Sequence, residues 1–364
     1  MIERIRLRLT VVVLFAACSG LYAQVQSTCA QKIRQASSVY EQGRLHELEG
    51  ILKECVSSPN KQEQVQAFKL LTLSYIYLEE PEKADEAMLN LLNADPFFEV
   101  NPDVDPAEFI ALYGKFRTKP LFRVAFRGGA NASAPALVSD YYVASAAPGN
   151  GKYKPGYGFQ AGLTFEKDFT DGPQWLRGFT LAPELMYSIR KFVYTNPTMF
   201  VNDSDPTKAN TGILGNFSQS WFDVNGIVQY RIFKNNKTWI GTLNPYIGMG
   251  PGFNYLLGSA FPFTTSRDNG FTVTGANVDS KENFRAMAYS LVLTSGMKYK
   301  FGSIYLLADV RVQIGLSNVV NADKRSNAVL VRDYGYTFPD YRQNTLSFTV
   351  GLQYPYFNPK KLIK

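Results

Sequence analysis

The chain has 364 residues, of which 45% are hydrophobic, 14% aromatic and 19% charged, with a formal net charge of +7. Plentiful aromatics (26 Phe, 22 Tyr) and modest charge exclude a disordered or collagen-like polymer. A mean hydropathy of −0.16 excludes a bundle of membrane helices, and the length allows one large domain or two ordinary ones.

Residues 1–23 carry the three parts of a secretory signal. Arg4, Arg6 and Arg8 form a charged start, and Leu9 to Ala17 an apolar core too short to span a bilayer as a mature helix. Leu21-Tyr22-Ala23 is a small-residue junction before Gln24. Cleavage after Ala23 is the expectation, with lipoprotein processing at Cys18 (after Phe15-Ala16-Ala17) as the competing route. Cleavage removes three Arg and one Glu, leaving +5 with no clustered basic stripe, which argues against nucleic acid as a partner. Cys29 and Cys55 remain. In an exported chain, one in each helix of a predicted hairpin, they read as a disulfide, with two buried free thiols as the alternative. Two Cys and the single His46 cannot build a zinc site, so no metal is expected.

From Cys29 to about Phe116 apolar residues recur at three and four, the helical period. Helices are expected over 29–43, 45–56, 61–79, 82–94 and 106–116. Gly43 ends the first, Ser57-Ser58-Pro59-Asn60 separates the second and third, Pro81 opens the fourth and Asp95-Pro96 closes it. Asp105 reads as the N-cap of the fifth, with Pro106 at its first position.

Phe68, Leu71, Thr72, Tyr75, Ala84, Met88, Leu91 and Pro96 fall at the spacing of a tetratricopeptide repeat, a helix-turn-helix unit of roughly 34 residues that this segment resembles. Ala36, Val39, Tyr40, Gly43, Leu48, Leu52 and Cys55 form a weaker copy upstream. Thr72 and Leu91 depart from the small residues usual at those positions. The resemblance implies packed hairpins whose concave face binds another protein, against the plainer role of a spacer or cap.

After Lys119-Pro120 the period changes to two. Phe122, Val124 and Phe126 alternate with Arg123, Ala125 and Arg127; the same pattern recurs over 157–168, 178–190, 221–232, 243–255, 287–298, 306–314 and 345–354. These are eight expected strands. Their length exceeds the five or six residues common in soluble sheets and suffices for a tilted bilayer crossing. Connections alternate between long (131–155, 195–215, 257–282, 317–342) and short (Asp171-Gly172-Pro173, Lys234-Asn235-Asn236-Lys237, Gly302-Ser303), as in a transmembrane barrel with long outer loops and short periplasmic turns. An even strand count returns the chain to its starting side, which puts the helices in the periplasm.

The fold expected is therefore α+β and multidomain: a signal peptide over 1–23, a short periplasmic repeat-like helical array over 24–118, and an eight-stranded antiparallel outer-membrane β-barrel over 119–364, in contact with outer-membrane lipid. Residues 121–364 look like the small OmpA/OmpX-type barrels, and the PorT-like barrels of Bacteroidota in particular. The features that carry this are the Tyr-Ala-Gln junction, Gly128-Gly129-Ala130-Asn131, and the aromatic Tyr354-Pro355-Tyr356-Phe357. One departure stands out: such barrels usually stop at a terminal aromatic, whereas Asn358–Lys364 adds a basic tail. The resemblance implies an accessory role in type IX secretion or barrel assembly.

With the apolar set facing lipid, Arg123, Arg127, Glu166, Glu184, Arg190, Asp223, Arg231, Lys298, Asp309 and Arg311 fill the lumen. Eight strands leave room only for side chains, and confined opposite charges should pair into a plug rather than line a pore. Resemblance to enzymatic barrels implies that a catalytic His would generally be needed, and the single His46 lies in the helical segment. No nucleophile elbow, phosphate loop or metal cluster occurs, so no catalytic residues and no cofactor are expected. Tyr141-Tyr142, Phe261-Pro262-Phe263 and Tyr334 with Tyr336 are expected in the outer loops, as exposed loop-tip or girdle aromatics. The expected function is a non-enzymatic outer-membrane component whose helical module docks a periplasmic or outer-membrane protein. The alternative is a small transport or surface-binding barrel with the helices as a cap.

Overall fold

The computed structural model describes residues 28–143, 151–169, 173–200, 211–232, 243–267 and 272–362. The expected signal segment 1–23, most of the turn at 171–173 and the turn at 234–237 lie outside the described residues. The described residues divide into two compact units: 120–356, and 28–119 together with 357–362.

The helical unit contains α1 (Thr28–Glu41), α2 (Leu48–Leu52), α3 (Lys61–Tyr77), α4 (Pro81–Ala94) and α5 (Ala107–Tyr113). The 3-10 turns Leu45–Glu47 and Cys55–Ser57 flank α2, so the single helix expected over 45–56 is broken. Gly50 weakens that stretch by about 1 kcal/mol relative to Ala, and Cys55 is held by a disulfide to Cys29 with Cα atoms 5.3 Å apart. Gly43 takes φ +75, the left-handed geometry that ends the preceding turn. Asn60 caps α3 by accepting the Gln62 N–H, and Pro81 occupies the first turn of α4. Asp105 does not cap α5 as expected: it accepts the Asn101 N–H at 2.7 Å and pairs with Lys69 at 2.5 Å, leaving Pro106 at the N-cap.

Ala36, Val39, Leu48, Leu52, Ala67 and Leu71 form one apolar core, and Ala84, Met88, Leu91, Leu92 and Phe109 form a second. The segment after the last barrel strand also belongs to this unit. Arg117 N–H donates to the Lys360 carbonyl and Leu362 N–H to the Lys115 carbonyl. Lys361 pairs with Asp85, and the Phe357 ring meets Phe97 edge-on at 4.9 Å.

The strand unit contains β1 (Phe122–Ser139), β2 (Lys152–Asp168), β3 (Phe179–Phe200), β4 (Thr211–Arg231), β5 (Leu243–Arg267), β6 (Thr272–Asp279), β7 (Met287–Phe301), β8 (Ile304–Gly315) and β9 (Asp340–Tyr356). All pairings are antiparallel. β1 pairs with β9, and β4 with β5, so eight strands close a ring while β6 hangs from the far end of β5 as an extra arm. The eight strands expected are the eight of the ring; the ninth falls where a loop over 257–282 was expected. Phe122 and Tyr356 sit opposite one another, rings stacked at 4.9 Å, so the chain enters and leaves the barrel at one rim. The two-residue turn Gly302-Ser303, with Gly302 at φ +57, joins β7 to β8 at that rim. Gly128 and Gly129 lie inside β1, and a Cβ on Gly129 would stand 1.9 Å from the Phe348 carbonyl, so the β1–β9 approach there admits only glycine.

Strand length exceeds what a bilayer needs. β5 has 25 residues, about 80 Å of extended chain, against the 9–11 residues of a tilted crossing. The polarity of the wall shows where the surplus begins. Near the chain-entry rim, side chains such as Phe126, Leu163, Leu185, Val224, Phe253, Leu293, Val310 and Phe348 point out, each more than a third exposed, and Arg127, Glu166, Glu184, Asp223 and Asp309 point in and are buried. Beyond the level of Trp221 and its partner Leu256 the arrangement inverts. Phe192, Phe217, Phe261 and Phe263 point in and are buried, while Lys191, Asn216 and Ser218 are on the outer wall. An apolar exterior over a polar interior belongs in lipid, and the reverse belongs in water.

Candidate functional site

From the entry rim to the level of Trp221, successive layers of paired charges cross the barrel lumen. At the entry rim Arg123 (β1) binds Asp168 (β2) at 2.7 Å, the Thr180 hydroxyl donates to the same carboxylate at 2.7 Å, and Arg231 (β4) lies 3.6 Å from it. One layer deeper, Glu166 accepts from Lys298 at 2.5 Å and from Arg127 at 3.3 Å, while Arg127 also binds Asp309. Asp309 further accepts from the Tyr246 and Thr349 hydroxyls at 3.0 and 2.8 Å and from Arg311 Nε at 2.6 Å. Arg311 reaches on to Glu184 through both terminal nitrogens, and Thr164 donates to that carboxylate at 3.3 Å. Next come Arg190 and Asp223 at 2.6 Å, with Ser188 and Asn254 donating to Asp223 at 2.8 and 2.6 Å.

Alternation makes this possible: a period of two keeps every second residue of each strand on one wall, and ring closure brings eight such walls within side-chain reach. All ten charged residues singled out in the sequence face this lumen and each has a partner of opposite charge. Asp168, the residue that shares the wall of Glu166 one pleat onward, was missed, although the same phase pointed to it. The neutral members Tyr246, Gln229, Asn254 and Thr349 carry no charge to flag them. Ions in so dry a space are held by mutual pairing, since the loss of one partner strands a buried charge at several kcal/mol.

Past Trp221 the lumen is closed by rings. Phe192 stacks on Phe217 at 4.5 Å, Phe217 meets Phe261 at 4.4 Å, and Phe261 meets Phe338 at 5.4 Å. Phe338, Tyr336 and Leu330 belong to the connection between β8 and β9, which carries α6 (Ala328–Tyr334) and folds inward over the mouth. Phe261, Phe263 and Tyr336 are therefore buried, not exposed loop-tip aromatics as expected; Tyr334 is packed partly against the same cluster, and only Tyr141 and Tyr142 stand open. Arg190 over the Trp221 ring, 5.4 Å from its centroid, joins the charged and aromatic zones.

The helical unit carries a groove of about 660 Å³. Phe68, Leu71 and Tyr75 of α3 and Ala87 of α4 form its floor; His46, Glu49, Lys53, Lys83 and Glu86 border it. Lys83 lies 3.5 Å from Glu49 and over the Tyr75 ring at 5.3 Å. Burial, reinforced by the negative charge of Glu49 and a hydrogen bond with it, pushes the Tyr75 phenol up to about 12. Among the repeat-like residues, Leu71, Ala84, Met88 and Leu91 are buried, Phe68 and Tyr75 are partly buried on the groove side, and Pro96 follows α4 just beyond its C-cap Asp95. His46 is exposed at the border, and no cluster of metal-ligating side chains occurs among the described residues.

A closed eight-strand ring with an apolar outer belt and a polar, plugged lumen is the architecture of an outer-membrane β-barrel. The model of the outer membrane protein beta-barrel domain family matches residues 117–321, and the chain belongs to that family. Its barrel contacts outer-membrane lipid through the apolar belt. Similar solved structures include Neisserial surface protein A (11% identity, 65% of this chain and 97% of that one, TM-score 0.28). Others are the outer membrane protein OprG from Pseudomonas aeruginosa (12%, 66% and 98%, TM-score 0.29) and the N-terminal β-barrel domain of OprF from the same organism (12%, 65% and 98%, TM-score 0.24). No match was found among the curated proteins.

Proposed function

We propose that the barrel is a sealed, non-enzymatic anchor in the outer membrane and that the helical unit, on the periplasmic side, docks a protein partner. The observation that carries the docking role is the groove of about 660 Å³: an apolar floor of Phe68, Leu71, Tyr75 and Ala87 between borders bearing both signs of charge. A floor of this kind suits the apolar face of a partner segment, and the charged border sets its register. The filled lumen argues against the alternative of a transport barrel, because a solute would have to break several buried ion pairs and the aromatic closure. For orientation, the chain enters and leaves at the rim of the two-residue turn, and short turns face the periplasm in such barrels.

Resemblance to PorT-like barrels makes an accessory subunit of an outer-membrane secretion or assembly machine (type IX or barrel-assembly) the favoured context. The test is co-purification from membranes followed by mass spectrometry. The intact protein is compared with a Lys53→Glu/Lys83→Glu variant and with a form lacking residues 24–118. A partner lost from both altered forms is the expected outcome; identical partner sets for all three remove the docking role.

A further inference from the structure

The entry rim of the lumen holds a cavity of about 140 Å³, well above the roughly 10–15 Å³ that one water requires. Arg123, Arg231, Lys298, Gln229, Gln353 and Tyr305 are among its walls. No carboxylate lines it, and those that pair with its basic residues are already engaged: Asp168 accepts from Arg123 and Thr180, and Glu166 from Lys298 and Arg127. What remains open is mainly donors, with one amide acceptor, Gln353 Oε1. Among the described residues, the Arg231 side chain has only its 3.6 Å approach to Asp168, and it is about a third exposed. Gln229 gives its carbonyl oxygen to Lys298 at 2.9 Å, but its Nε2 is buried without a protein partner. Gln353 is fully buried on the cavity wall, and neither end of its amide has a protein partner. A buried amide left unmatched costs about 1–3 kcal/mol, so a fully enclosed glutamine in this place signals a group that it meets.

We propose that this rim is a blind binding cup for a small oxyanion of the phosphate or carboxylate type. Arg231, Gln229 Nε2 and Gln353 Nε2 supply the donors, on β4 and β9, and Arg123 and Lys298 add positive charge. A cation is disfavoured, since three basic side chains surround the space and both nearby carboxylates are saturated. The Glu166–Arg127–Asp309 layer closes the cup below, so the ligand is held and not conducted. Nothing in this assignment depends on the docking role of the helical unit.

The test is calorimetric titration of the full-length protein in detergent micelles with inorganic phosphate, against chloride as control, on the wild type, Arg231→Gln and Gln353→Leu. Saturable phosphate binding should weaken about tenfold or more in each variant, the size expected for one lost hydrogen bond to a charged group. Gln353→Leu removes no charge, and the heat-induced shift on electrophoresis verifies that each variant is folded. Repeating the titration in nanodiscs separates the sources. Phosphate binding that survives in phosphatidylcholine and vanishes in phosphatidylglycerol assigns the cup to a lipid headgroup; binding retained in both assigns it to a free oxyanion. Absence of saturable binding by the folded wild type, or equal affinity in all three proteins, overturns the proposal.

Discussion

Arg311→Met is the most informative perturbation of the lumen. Arg311 binds Asp309 at 2.6 Å through Nε and Glu184 through both terminal nitrogens, and both carboxylates are fully buried. After substitution Asp309 keeps Arg127, Tyr246 and Thr349, whereas Glu184 keeps only the Thr164 hydroxyl at 3.3 Å. One stranded carboxylate therefore dominates the loss, which should be about 3–5 kcal/mol. Removing that carboxylate as well, in Arg311→Met/Glu184→Met, should recover about 2 kcal/mol or more, since a buried pair replaced by apolar side chains of similar volume is close to neutral. The assay is urea unfolding of the barrel in lipid vesicles, followed by electrophoretic mobility and by the emission of Trp221, which is buried beneath the aromatic closure. A single variant within about 1 kcal/mol of wild type, or a double variant less stable than the single one, would refute the pairing argument.

Three further outcomes concern the helical unit. Cys29→Ser/Cys55→Ser opens a loop of 26 residues and should destabilise that unit by about 3.5 kcal/mol on chain-entropy grounds, seen as faster proteolysis of the helices with the heat-induced shift of the barrel unchanged. Deleting 358–364 removes the Lys361–Asp85 pair and two backbone hydrogen bonds, at Lys115 and Arg117. It should lower the stability of the helical unit by about 2 kcal/mol in the same proteolysis assay, while equal cleavage rates would show that the segment adds nothing. Tyr75, with its phenol pushed above the ordinary value of 10.0 to about 12, should add no absorbance near pH 10–11 in a tyrosinate titration compared with Tyr75→Phe. Because the folded state holds that proton more tightly than the unfolded one, its contribution to stability is complete below pH 10 and is lost as the pH rises through about 12.

The ring of strands was legible because lipid and lumen enforce opposite chemistries on alternate residues, and in a segment such as 345–354 that contrast is continuous. It failed in the upper wall for a definite reason. The period of two persists through Phe192, Tyr194 and Tyr341, but the apolar set now faces inward, so a reading that followed outward apolar side chains lost the strand and substituted long loops. The buried pairing of Phe261 and Phe263, the burial of Leu330 in α6 and the inward fold of 316–339 depend on contacts far apart in sequence. No local pattern reports them. The lumen charges were visible as a set, but their partners follow from the inter-strand register, in which Arg127 meets Asp309 across 182 positions. On the helical side the cysteine pair was readable from compartment and spacing. The segment after β9 was not, since Asn358–Leu362 has no periodicity to show that it returns to the helices.

Single-channel recording on the purified, folded protein in planar bilayers distinguishes a membrane anchor closed to solutes from a pore. A flat baseline or rare, brief events are expected at every holding potential, because among the described residues the pairs from Arg123 to Asp223 and the rings from Trp221 to Phe338 leave no continuous path. Steady, long-lived open channels from protein that runs as the folded form would contradict it.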